Sequence, residues 1–186
     1  MHIKHYLDEK GISVYKLAEQ AGVAYPTVFN IVNGKVDIMN SALRIVKKIA
    51  DALEISIDEL ILLCDRECDF AIFRGEQRHL VNRRGEMNYV IDVLETRRID
   101  SFWKLGMRAE AFYLLAMIDY LSRRNDLPRC SDYDEIRQYK LEKTVYPPDT
   151  ALTEKLLKKD IRRDTMKKAI PEFLEFNIVE CEVVNE

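Results

Sequence analysis

Two short apolar-faced segments meet at a glycine in Ser13-Val14-Tyr15-Lys16-Leu17-Ala18-Glu19-Gln20-Ala21-Gly22-Val23-Ala24-Tyr25-Pro26-Thr27-Val28-Phe29-Asn30-Ile31-Val32-Asn33-Gly34-Lys35. Val14, Leu17, Ala18 and Ala21 recur at helical spacing. Ser13 is a good N-cap for that helix. Gly22 stands where a left-handed C-terminal residue belongs. A second helix is predicted from Pro26, whose missing N–H costs nothing in a first turn, through Asn33 to a stop at Gly34. Working outward, Ile3, Tyr6 and Leu7 mark an upstream helix that Gly11 ends. Leu43, Val46, Ile49, Ala50 and Leu53 mark a downstream one. Leu17, Ala18, Val23, Val28, Ile31, Leu43, Val46, Ile49, Ala50 and Leu53 form the expected core of five helices around one small centre. Ala18 is read as small because the two central helices cross closely there.

Two short helices joined by a tight glycine-containing turn have the shape of a helix-turn-helix. The segment resembles the Cro/CI-type (XRE) family of DNA-binding domains. The resemblance rests on Ser13 to Val23, Thr27-Val28, Ile31, Asn33-Gly34-Lys35, Leu43, the run Ile49 to Ile55 and the closing Ser56-Ile57-Asp58-Glu59-Leu60. It covers about residues 1–64 and implies a five-helix, lambda-repressor-like DNA-binding domain. The link after Lys35, filled by Val36-Asp37-Ile38-Met39, is slightly long for the family. Pro26 stands where the family more often has a polar residue. The resemblance also implies that the start of the third helix enters the major groove of double-stranded DNA. Ala24, Tyr25, Pro26, Thr27, Phe29 and Asn30 are then the base-facing candidates. An asparagine such as Asn30 bonds bidentately to adenine, and Ala24 or Pro26 meets a thymine methyl. Ser13, Asn33 and Lys35 are candidates for backbone phosphates, with Lys16 as a further contact. Against DNA contact stand two plain alternatives, half-buried packing for Phe29 and a solvated cation for Lys35.

Charge sets the scale of that binding. Through Leu60 the cations are Lys4, Lys10, Lys16, Lys35, Arg44, Lys47 and Lys48. The anions are Asp8, Glu9, Glu19, Asp37, Asp51, Glu54, Asp58 and Glu59, so the module is close to neutral. The whole chain carries −3, which argues against coating nucleic acid non-specifically, a process driven by clustered cations. Modest affinity per monomer favours a dimer. With 47% apolar and 33% charged residues, 186 residues suit one mid-sized or two small soluble domains. No stretch approaches the roughly 18 uncharged apolar residues of a membrane span. The N-terminus lacks the basic-then-apolar order of a secretion signal, so a cytoplasmic protein is expected. Cys64, Cys68, Cys130 and Cys181 are scattered and read as reduced, mostly buried thiols. Cys64 and Cys68 lack the matching second pair of a zinc site, and no metal is expected.

From residue 65 onward the pattern stays helical without a Gly/Ser linker, and 65–186 is expected to be a separate all-α domain. Phe70, Phe73, Gln77, Leu80 and Val81 mark one helix; Met87, Val90, Ile91 and Leu94 mark the next. Ala109 to Leu121 is apolar nearly all round and is expected at the centre. Ser131-x-x-Asp134 resembles a capping box opening a helix through Ile136, Tyr139 and Leu141. Helices are also expected near 150–159 and 162–176, the latter broken at Pro171. The pairs Arg83-Arg84, Arg97-Arg98, Arg123-Arg124 and Arg162-Arg163 fall near predicted helix ends. There they complement the dipole or face solvent, unless they meet an acidic partner. Phe102 and Tyr113 read as core, and Trp103 as core or interface.

Catalytic signatures and cofactor-binding motifs are missing from this half. His79 stands alone, and the dipole of a helix N-terminus accounts for Asp132, Asp134 and Glu135 without a metal. The chain is therefore expected not to be an enzyme and to need no cofactor. The leading reading is a dimeric transcriptional regulator, a repressor, with half-sites about 10 base pairs apart. Its C-terminal helices would serve dimerisation, a small effector or a protein partner. The alternative, by resemblance to XRE-type antitoxins, is an autoregulating antitoxin whose C-terminal domain neutralises a co-encoded toxin.

Overall fold

The computed structural model describes residues 2–64, 70–148, 150, 156 and 161–184. The chain divides into two compact units, Met1–Asp69 and Phe70–Glu186. Both are helical. Among the described residues there is no strand, only an isolated parallel bridge between Val145 and Ile178.

The first unit contains α1 (His2–Glu9), α2 (Val14–Ala21), α3 (Tyr25–Val32), α4 (Leu43–Leu53) and α5 (Ile57–Cys64). Ser13 caps α2, its Oγ accepting from the Lys16 N–H at 3.2 Å. Gly22 closes α2 at φ 57°, the left-handed conformation that glycine adopts without a Cβ penalty. Lys48 of α4 reinforces that end by donating to the Gly22 carbonyl at 3.3 Å. Leu17, Val28, Ile31 and Ile49 are fully enclosed where α2, α3 and α4 pack together. On the other side α1 buries Ile3, Tyr6 and Leu7 and packs on α5, with Leu60 and Leu63 at 0% exposure. A reciprocal cap starts α5: the Ser56 N–H donates to Glu59 Oε2 at 2.8 Å, and the Glu59 N–H to Ser56 Oγ at 3.0 Å.

Two details differ from the sequence expectation. Leu43 is 70% exposed although it continues the apolar stripe of α4. It is the first residue of that helix, and helical side chains lean toward the N-terminus, so it leans off the end of the core. The link before it is ordered by a 3-10 turn, Ile38–Asn40, in which Asp37 Oδ1 accepts from the Met39 N–H at 2.9 Å. That turn buries Ile38 and leaves Val36 and Met39 outside. In addition, α3 begins at Tyr25, one residue before Pro26.

The second unit is built on α9 (Arg108–Arg124), preceded by α6 (Phe70–Arg84), α7 (Glu86–Glu95) and α8 (Arg98–Lys104). Every residue from Glu110 to Asp119 is buried, as expected of a central helix apolar nearly all round. The buried face of α7 is Tyr89, Val90 and Val93; Met87 and Ile91 are largely exposed, contrary to the face expected. Past α9 lie the helix Arg162–Lys168 and a single turn, Pro171–Leu174, separated at the proline as expected. The helix expected near 150–159 lies, apart from Thr150 and Leu156, outside the described residues.

The helix expected after Ser131 does not form. Two 3-10 turns, Ser131–Tyr133 and Ile136–Gln138, take its place, and Ser131 makes no side-chain cap. The cause is tertiary. Arg137 is drawn onto buried Asp119 of α9, with Nη2 at 2.7 Å and Nε at 2.9 Å, and also donates to the Cys130 carbonyl and Asp134. Satisfying a buried carboxylate outweighs the small local propensity of so short a helix.

Candidate nucleic-acid interface

One turn of backbone sets this surface. Gly22 turns the chain out of α2, and Ala24 accepts from the N–H groups of Thr27 and Val28 to start α3. Val28, Ile31 and Val32 face inward. Ala24, Tyr25 and Pro26 are therefore exposed, with Thr27, Phe29 and Asn30 half-buried beside them. All six base-facing candidates thus share one outward surface. Ser13, Lys16 and Lys35 are exposed as well.

Two candidates have local duties. Ser13 holds the α2 cap, so Ser13→Ala is expected to cost about 1 kcal/mol in thermal unfolding before any effect on DNA appears. Asn33 Nδ2 donates to the Phe29 carbonyl at 2.8 Å and thereby finishes α3, which commits one of its two amide N–H groups to the helix end. Lys35 follows Gly34, which adopts φ 65°. The Lys35 N–H donates to the Asn30 carbonyl at 2.8 Å. That geometry lays its ammonium over the Phe29 ring, 5.3 Å from the centroid. Phe29 is thus both packing and platform.

Tyr15 joins the surface although the family resemblance does not mark it. It is 68% exposed on the outer side of α2, its ring centroid 6.2 Å from Tyr25. Tyr25 in turn lies 5.7 Å from Phe29. The result is a row, Tyr15–Tyr25–Phe29, ending under the Lys35 ammonium. A signal for it existed: a tyrosine on the polar face of an amphipathic helix, opposite Leu17, Ala18 and Ala21.

Several arginines of the second unit are paired within it. Arg84 pairs with Asp92 at 2.8 Å, Arg97 with Asp100 at 3.0 Å, and Arg124 with Glu86 at 3.3 Å. Arg123 is bound to Glu172. Arg162 lies over the Tyr146 ring. Each arginine pair therefore has at least one member held within the unit. Arg162-Arg163 opens a helix rather than closing one, so the dipole explanation fails for that pair, whereas Arg97-Arg98 lies between the end of α7 and the start of α8. Trp103 is half-buried between Phe112 and Tyr139, with Arg108 stacked 3.6 Å from its ring centroid. Phe102 and Tyr113 are core residues. His79 is exposed.

Of the cysteines, Cys64 is buried, and burial, aided by Asp37, pushes its thiol up to about 12, which makes it unreactive. Cys181 is exposed, against the expectation of mostly buried thiols; Cys68 lies outside the described residues. Among the described residues no group of three or more His, Cys, Asp or Glu is placed to hold a metal ion. Among them, too, no helix is long and apolar enough to cross a membrane.

Residues 2–63 match the family described as the Cro/C1-type HTH DNA-binding domain, a family that is typically non-enzymatic. No curated protein and no solved structure matches the chain. Capped α2, the glycine turn and the outward face of α3 are the parts such a domain uses, and the N-terminal third of this chain is a Cro/C1-type HTH DNA-binding domain, which supports a role as a DNA-binding transcription regulator.

Proposed function

We propose that the protein is a cytoplasmic repressor that binds a two-half-site operator as a homodimer through residues 1–64. In this reading residues 65–186 serve dimerisation, effector sensing or partner binding, and the protein is not an enzyme. The observation that carries it is the exposed face of α3 within a matched Cro/C1-type domain. The near-neutral charge of that domain supports the dimer, because one copy has few cations to release counterions from DNA.

Ala24, Tyr25, Pro26, Thr27, Phe29 and Asn30 are assigned to base edges, and Ser13, Lys16, Asn33 and Lys35 to phosphates. Tyr25→Ala and Asn30→Ala are each expected to cost about 1–3 kcal/mol in specific binding. Lys35→Ala is expected to weaken all sequences alike and to lower the salt slope by about one unit. Titration of operator and random duplexes at several salt concentrations separates the two classes. Unchanged specificity in both Tyr25→Ala and Asn30→Ala would overturn the assigned face.

The proposal as a whole is tested by selecting sites from a random duplex library with the full chain. A palindromic site with a steep salt dependence supports the dimeric regulator. Failure of folded protein to enrich any duplex, together with a stoichiometric protein partner recovered from the native host, would replace it with the antitoxin alternative.

A further inference from the structure

The outward face of α3 is unusual in what it lacks. Between Gly22 and Gly34 there is no charged residue at all. Guanine is read in the major groove chiefly by a bidentate arginine or lysine, and α3 holds neither. The hydrogen-bonding groups left on its exposed side are the Tyr25 and Thr27 hydroxyls and the Asn30 amide. The rest is apolar: Ala24, Pro26 and the ring row Tyr15–Tyr25–Phe29, its members 6.2 and 5.7 Å apart. Lys35 is drawn over Phe29 at the far end of that row.

The major-groove edge of duplex DNA offers one apolar group, the 5-methyl of thymine. We propose that this face selects its operator by thymine methyl groups, packing two or more of them per half-site on Ala24, Pro26 and the Tyr15–Tyr25 rings. Asn30 takes an adjacent adenine, and Lys35 stays with the backbone. The inference rests on the reading that α3 enters the major groove. It adds the class of site, A·T-rich with thymines in fixed positions, and it adds Tyr15 of α2 as a specificity-determining residue.

The first arm of the test is made on the DNA, where the folding of a variant does not enter. Sites are first selected from a random duplex library with the full chain. Each invariant thymine is then replaced by deoxyuridine, which keeps base pairing and removes only the methyl group. Affinity is expected to fall about fourfold per replaced thymine, the weight of one buried methyl. In Tyr15→Ala/Tyr25→Ala protein the thymine-to-uracil ratio is expected to move toward one. Equal affinity for thymine and uracil duplexes, or selection of a G·C-rich site, would overturn the thymine assignment and leave duplex binding intact. No enriched duplex would overturn the groove reading and this inference together.

Discussion

Replacing Glu180 by alanine is expected to destabilise the second unit by about 3–5 kcal/mol, the usual cost of removing one partner of a buried ion pair. Glu180 Oε2 accepts from Arg74 Nη2 at 2.9 Å and Nε at 3.2 Å, and from the Tyr113 hydroxyl at 3.0 Å. Both charged side chains are only 4% exposed. Arg74 also donates to the carbonyls of Tyr146 at 3.0 Å and Val179 at 2.6 Å. One guanidinium thereby fastens α6 to two distant segments of chain. Burial and the Glu180 carboxylate hold the Tyr113 hydroxyl well above the usual tyrosine range, so it remains a donor at any physiological pH. Without Glu180 the guanidinium keeps its carbonyls and loses its counter-charge. Urea unfolding followed by circular dichroism measures the loss. Arg84→Ala, which breaks the half-exposed pair with Asp92, is the comparison and is expected to cost less than about 1 kcal/mol. If Glu180→Ala costs no more than Arg84→Ala, the Arg74 cluster does not hold this unit together. The double change Arg74→Met/Glu180→Leu is expected to recover only part of the loss, because it removes the stranded charge but leaves the Tyr146 and Val179 carbonyls without their donor.

The second large effect belongs to the first unit. Leu17→Ala is expected to cost about 2–5 kcal/mol, since Leu17 is at 0% exposure between helices and its cavity cannot close freely. A unit of this size has a small reserve of stability, so duplex binding is expected to fail in the same step. Leu43→Ala is the matched comparison: the same chemical change at 70% exposure is expected to stay within about 0.5 kcal/mol. Thermal unfolding of the two variants, with duplex binding followed across each midpoint, checks both. Similar destabilisation by the two changes would mean that the stripe of α4 reaches the core over its whole length.

That pair of leucines also marks how far the residue pattern reaches. Both fit a helical apolar stripe, and spacing alone cannot tell a leucine over the core from one over a helix end. The same holds for α7, where Met87 and Ile91 lie outside while Tyr89 and Val93 are enclosed. A rotation of one residue moves the buried face, and only the neighbouring helices determine it. The Ser131-x-x-Asp134 pattern failed for another reason. Local capping is worth about 1 kcal/mol, less than a buried Asp119 demands of Arg137. Of the candidate interface, α3 and its outward residues were legible from Gly22, Pro26 and Gly34, whereas the pairing of Tyr15 with Tyr25 was not, because the two belong to different helices.

What the amino-acid sequence determined by itself is local: the capped α2, the glycine turn, the α3 that follows and the nearly all-apolar α9. These depend on residues within a few positions of one another, so short-range spacing carries them. What only the tertiary structure decided is which groups from distant parts of the chain meet. The aromatic row spans α2 and α3, Asp119 gathers Arg129 and Arg137, and Arg74 finds Glu180 across 106 positions. A charged residue reads the same in sequence whether it faces water or a buried counter-ion. Burial separates the two cases, by making the lost hydration of the charge too costly to leave without a partner.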